Sequence, residues 1–162
     1  MKKLLTALLM GTLALTSWAN NFEGFLTSSK EAFAQAKEDG KIVFALFSGT
    51  DWCPPCMRLE KNVISKKEFT EQLESKYVFL LLDFPRYRRL KESTARQNNL
   101  LLERYKVDSF PTIVLIGADG EMLQKFNIIP NSSVKSFMMW FNHETAQTWK
   151  NYQQKTEKQS LK

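Results

Sequence analysis

Two thiols two residues apart can exchange electrons with a disulfide, hold a soft metal, or staple the chain. This 162-residue chain has two cysteines in all, and both fall in the run TDWCPPCM, as Cys53 and Cys56 with Pro54 and Pro55 between them. A structural zinc site needs about four ligands, and the remaining nitrogen donor of note, His143, lies far along the chain. A c-type haem attachment puts histidine directly after the second cysteine; here that residue is Met57. No metal and no cofactor are therefore expected, although a cuprous carrier using Cys53, Cys56 and Met57 stays open, since thiolates and a thioether suit that ion. A purely structural disulfide also stays open. Closing so short a loop, however, removes little unfolded-state entropy.

Reactive thiols need an element that lowers their pKa and a second that holds them. The apolar, β-branched and aromatic run from Lys41 to Phe47 reads as a buried strand. The cysteines follow it, at a strand-to-helix junction where the helix dipole and unpaired N–H groups favour a thiolate. On this reading Cys53 is the nucleophile, and Cys56, one turn in and less exposed, is the resolving thiol. Trp52 either shapes the rim of the site or merely packs. Pro54 and Pro55 lack an N–H, so mainly the N–H of Cys56 remains to reach the Cys53 sulfur. That is weak thiolate stabilisation, which predicts a low reduction potential and hence a reductant.

The rest of the chain supplies the frame. Ser28 to Glu31 reads as a capping box opening a helix that Gly40 stops. Leu59, Val63 and Ile64 keep helical spacing after Cys56. Ser65 to Glu68 reads as a second capping box, for a helix ending near Ser75. Tyr77 to Asp83 is a second apolar strand. Phe84 to Asn99 is basic and polar and gets no assignment, and Leu100 to Tyr105 reads as a short helix. Thr112 to Ile116 and Glu121 to Phe126 form a hairpin around Ala118-Asp119-Gly120. A last helix follows Pro130 to Ser133, and residues from Asn151 read as a fraying polar tail. Strands alternating with helices and ending in a hairpin imply an α/β fold with a mixed sheet covered on both faces.

Lys2 and Lys3 precede an apolar run from Leu4 to Leu15 and then small residues up to Ala19. That is the layout of a signal peptide over 1–19, cleaved after Ala19. The expected product is a single domain over 20–150 with a tail over 151–162, periplasmic or secreted and without stable membrane insertion. Lysine and arginine number 23 against 17 acids, and removing Lys2 and Lys3 leaves 21 against 17. So mild a bias argues against nucleic acid as partner. The cations cluster only in Pro85 to Lys91, which reads as a solvated segment or as a docking patch for an acidic partner.

"FSGTDWCPPC" and, further on, "ERYKVDSFPTIVLIGADGE" resemble the thioredoxin family: W-C-x-x-C at a strand-to-helix junction, and a Pro-Thr opening a later strand before a Gly turn. The resemblance runs from about Phe22 to Trp149. "SGTDWC" and "RLEKNVISKKEF" are most similar to its secreted thiol reductases. It implies a thioredoxin fold and a protein-disulfide reductase working through Cys53 and Cys56. It further implies a cis Pro111 facing the cysteines, with Phe110 presenting backbone to the substrate. Trp52, at the rim, is expected to contact the substrate too, and an exported reductant needs a transmembrane thiol partner as electron donor. An oxidase or isomerase of the same fold, or a non-catalytic binding module, are the alternatives. The family's buried aspartate and lysine, which manage the resolving thiol's proton, are replaced here in the region of Ala45, Leu46 and Phe79. Glu60 is either a substitute acting through water or an ordinary surface residue.

Overall fold

The computed structural model describes residues 22–127 and 129–160. The proposed leader 1–19 and its cleavage point lie outside the described residues. The elements run β1 (Phe25–Leu26), α1 (Ser29–Asp39), β2 (Ile42–Ser48), α2 (Pro54–Leu59), a π-helical turn (Glu60–Ile64), α3 (Lys67–Leu73), β3 (Tyr77–Asp83), α4 (Glu92–Arg104), β4 (Thr112–Ile116), β5 (Met122–Phe126) and α5 (Val134–Ser160).

The five strands form one mixed sheet in the order β1-β3-β2-β4-β5. β2 and β3 are parallel, with Ile42 opposite Tyr77 and Ser48 opposite Asp83. β4 is antiparallel to both β2 and β5. Every residue of β2, β3 and β4 is buried, which is why these strands read as continuous apolar runs rather than alternating ones. The two-residue period reappears in what each side chain touches. Phe44, Leu46, Phe79 and Leu115 face an aromatic-rich core completed by Leu59, Phe69, Phe137 and Phe141. Val43, Ala45, Leu80 and Val114 face a smaller core against Ala32, Ala36 and Tyr105. Helices thus cover both faces, as expected.

Several boundaries depart from the expectation. Ser28 does cap α1, accepting from the Glu31 N–H, and Gly40 ends it in the left-handed conformation. Ser65 caps nothing: α3 starts after Lys66 without a side-chain cap, and the Ser65 hydroxyl donates to Lys61 O instead. The reason is the widened π turn, in which the Ser65 N–H reaches back five residues to Glu60 O and uses up the residue that would have opened the helix. α4 begins at Glu92, well before Leu100. α5 continues through Ser160, so the residues from Asn151 are helical rather than a frayed tail. Buried Tyr152 pins them, its hydroxyl donating to Lys41 O and accepting from the Ala118 N–H. No described helix is long and apolar enough to cross a membrane.

Candidate active site

The site lies at the carboxyl ends of the parallel pair β2 and β3, where chains leaving a sheet side by side leave a crevice. Cys53 is the N-cap of α2 and Pro54 opens the helix, where a missing N–H is harmless. Cys53 and Cys56 are joined as a disulfide, with Cα atoms 5.2 Å apart. Both cysteines are buried, at 4% residue exposure for Cys53 and 2% for Cys56, so exposure separates the two less than expected. The Cys56 N–H lies 3.3 Å from the Cys53 sulfur; the positions of Pro54 and Pro55 offer none.

The loop before β4 closes one side. The Phe110–Pro111 peptide is cis, and the Phe110 carbonyl oxygen stands 3.7 Å from Cys53 Sγ. Thr112 anchors this loop, its hydroxyl donating to Ser109 O at 2.8 Å. The Phe110 ring packs edge-on to Trp52 at 6.1 Å and stacks on Phe84 at 5.0 Å. Trp52, Cys53, Cys56, Phe110 and Pro111 are therefore one constellation.

Sequence reading named the Pro85–Lys91 cations but not that they close the other side. Trp52 Nε1 donates to Phe84 O at 2.7 Å, and the Arg86 guanidinium lies 3.7 Å over the indole. The Asp51 carboxylate accepts from the Arg86 and Tyr87 N–H groups, both at 2.9 Å. Desolvation pulls the Asp51 carboxyl upward, but those two N–H groups and the Arg88 cation outweigh it and hold the group below its ordinary value of 3.8. Buried Asp83 accepts from the Thr50 N–H and pairs with Arg88. Its backbone carbonyl takes the amide of buried Asn98 at 2.8 Å. Gly49 makes room for this arrangement, since a Cβ there would come within 2.6 Å of the indole. The one sequence signal was Asp51 in a loop and a run of arginines elsewhere. The Ser48–Asp83 register is what brings them together.

The positions expected to carry a buried acid and a lysine are apolar and closed: Ala45, Leu46 and Phe79 are all buried. Glu60, one turn beyond Cys56, is half-buried. Among the described residues no three His, Cys, Asp or Glu side chains gather as metal ligands.

The thioredoxin-like domain family matches residues 29–127. The chain belongs to the thioredoxin-like family. It is 30% identical over 103 residues to the disulfide bond reductase DsbH of Chlamydia pneumoniae, covering 64% of this chain and 62% of that protein. It is 26% identical over 104 residues to the thioredoxin-related protein DsbJ of the same organism, covering 64% of this chain and 30% of the relative. The chain thus spans less than two thirds of these relatives' lengths. Among solved structures, a DsbH oxidoreductase superposes with a TM-score of 0.66 at 26% identity, over 76% of this chain and 82% of the other. A thioredoxin from Thermus thermophilus superposes at 0.53 and 21% identity, over 74% and 85%, and shows the thioredoxin fold alone.

Proposed function

We propose that this thioredoxin-like protein is an exported thiol–disulfide oxidoreductase that reduces protein disulfides through Cys53 and Cys56. The observation that carries this reading is the convergence, on one sulfur, of a helix start, the Cys56 N–H and the Phe110 carbonyl. The names of the DsbH and DsbJ relatives support it. In the dithiol form, the Cys53 thiolate attacks a substrate disulfide. A Cys53–substrate disulfide forms, and the other substrate sulfur leaves as a thiolate. Cys56, losing its proton, then attacks Cys53 Sγ. The Cys53–Cys56 disulfide forms and the second substrate sulfur departs. Two electrons pass to the substrate; Cys56 supplies one proton and solvent the other.

The chain must then be reduced again by a dithiol. For an exported protein, periplasmic or secreted, the donor we propose is a transmembrane thiol partner. The direction follows from Pro54 and Pro55. With neither an N–H nor a charged side chain between the cysteines, the thiolate is stabilised weakly. That places the potential nearer about −270 mV than the roughly −120 mV of strong oxidants.

Insulin reduction by the dithiol protein tests the activity, and Cys56→Ser should accumulate mixed disulfides where Cys53→Ser traps none. Equilibration with glutathione tests the direction. A protein that settles near the oxidising extreme and rapidly oxidises reduced substrates would be a disulfide donor instead.

A further inference from the structure

The segment Pro85 to Lys91 is cationic, and it is fastened to the rim of the disulfide. Its backbone hangs on Asp51 through two N–H groups, Arg86 lies on the Trp52 indole, and Arg88 is committed to Asp83 and Thr50. The anchoring offsets the backbone freedom the loop gives up and holds its outward side chains on a fixed backbone beside the disulfide. What the anchoring leaves facing outward is specific. Arg86 is exposed along its edge, Arg89 and Lys91 are exposed without an ion pair to any described residue, and Tyr87 between the arginines is 82% exposed. Arg58 on α2 is likewise exposed and unpaired among the described residues.

The carboxylates nearby do not cancel this charge evenly. Asp51 is occupied by N–H groups, and Asp83 is buried and paired with Arg88. Asp108, exposed, lies on the cis-proline side, Glu60 beyond Cys56, and exposed Glu92, next to Lys91, pairs with Arg96. The rim is therefore positive on the 86–91 side, with an aromatic ring at its centre. Arginine and tyrosine on a backbone held in place are the composition of an interface anchor rather than of a solvated face.

Resting on the reductase reading above, we propose that the 86–91 loop docks an acidic segment of the substrate polypeptide next to the disulfide being reduced. Its carboxylates meet Arg86, Arg89 and Lys91, and an apolar residue covers Tyr87. The loop selects and orients the substrate, and takes no part in electron transfer.

The test uses two peptides joined by the same reporter disulfide, one flanked by glutamates and one by glutamines. The acidic peptide should have a kcat/KM about tenfold higher at low salt, and the ratio should shrink toward one near 1 M salt, where the screening length is about 3 Å. Arg89→Glu with Lys91→Glu should bring the acidic-to-neutral ratio to one or below. Because the ratio is taken within one variant, a general loss of activity cancels. A wild-type ratio of one, or a ratio indifferent to charge reversal, overturns the proposal. If neither peptide is reduced, the reductase reading has failed. The docking proposal is then decided by the oxidised protein's binding of cysteine-free glutamate and glutamine peptides, measured by fluorescence anisotropy. Preference for the glutamate peptide, lost on charge reversal, sustains docking. Equal binding of the two peptides, or binding only to vesicles of anionic lipid, refutes it.

Discussion

Two loops flank the disulfide, and they are held by unlike means. The loop ahead of β4 is fixed from beneath by its strand and by the Thr112 hydroxyl, and presents a backbone carbonyl 3.7 Å from Cys53. The 84–91 loop is fixed from the side, by Asp51 and, through Arg88, Thr50 on the loop that carries Cys53, and by Asp83 at the end of β3. It presents cations and a tyrosine. A main-chain carbonyl is indifferent to a partner's side chains, whereas charges discriminate. On the proposals above, main-chain contact with the substrate and selection by charge sit on opposite sides of one sulfur, joined through Trp52, which touches both Phe110 and Arg86.

The sharpest way to break the comparison is at Pro111. Proline restricts its backbone and brings no N–H, so Pro111→Ala frees the carbonyl that precedes it. Exchange with protein disulfides should slow by roughly ten- to a hundredfold, as misplacement of a substrate contact does, while reaction with small thiols persists. Stopped-flow rates against insulin and dithiothreitol measure both. Equal losses with the two reagents would place Pro111 in the chemistry itself.

A smaller effect is expected at the junction. Trp52→Ala removes the Arg86 stack and the bond to Phe84 O, each worth about 1 kcal/mol. A fall of about 2 kcal/mol in unfolding free energy, together with a severalfold loss of exchange rate, would show that both loops depend on the indole. Gly49→Ala keeps the indole and displaces it, because the new Cβ falls 2.6 Å from its atoms. It should reproduce the rate loss. Denaturant midpoints and insulin reduction on both variants separate packing from position, and full activity in Gly49→Ala would sever the link.

The two loops also differ in how far sequence discloses them. Tyr77–Asp83 and Thr112–Ile116 stand where the apolar runs placed them, because strands buried on both faces need no pattern beyond continuous hydrophobicity. The cysteine junction was legible for the same reason, since it follows such a strand. α4 was half missed because its early turns turn polar groups inward. Asn98 bonds to Asp83 O, and Gln97 bonds to Thr27 O and accepts from Ser29, so no hydrophobic period marks them. The end of α5 was misread because Tyr152 alone is buried among the described residues beyond Lys150. That Asp51 holds the arginine loop was invisible for another reason. Their pairing is a consequence of the Ser48–Asp83 register, and an apolar run says that a strand exists without saying which residue it faces.

The mildest prediction follows from how the arginine loop is tied down. Asp51 has a lower pKa in the folded protein than its ordinary value of 3.8, because the Arg86 and Tyr87 N–H groups and the Arg88 cation overcome desolvation and favour the carboxylate. For a depressed carboxyl the contribution is fully present above the unfolded value and is lost as pH falls through the folded one. The loop should therefore stay fastened at neutral pH and begin to loosen only below about pH 3.8. The Arg86 and Tyr87 amide resonances should shift together in that window. Asp51→Asn keeps an acceptor oxygen but loses the charge. At neutral pH it should show faster amide exchange at those two residues, no acid transition of its own there, and a modest loss of preference for the acidic peptide. The loop before β4 is anchored by the Thr112 hydroxyl to Ser109 O, and the Ser109 hydroxyl donates to exposed Asp108; with Asp108→Asn removing that titration, it should keep its Thr112 resonances through the same pH window. If Thr112 moves in step with Arg86 and Tyr87, the two loops are one unit and the separation between main-chain contact and selection by charge does not hold.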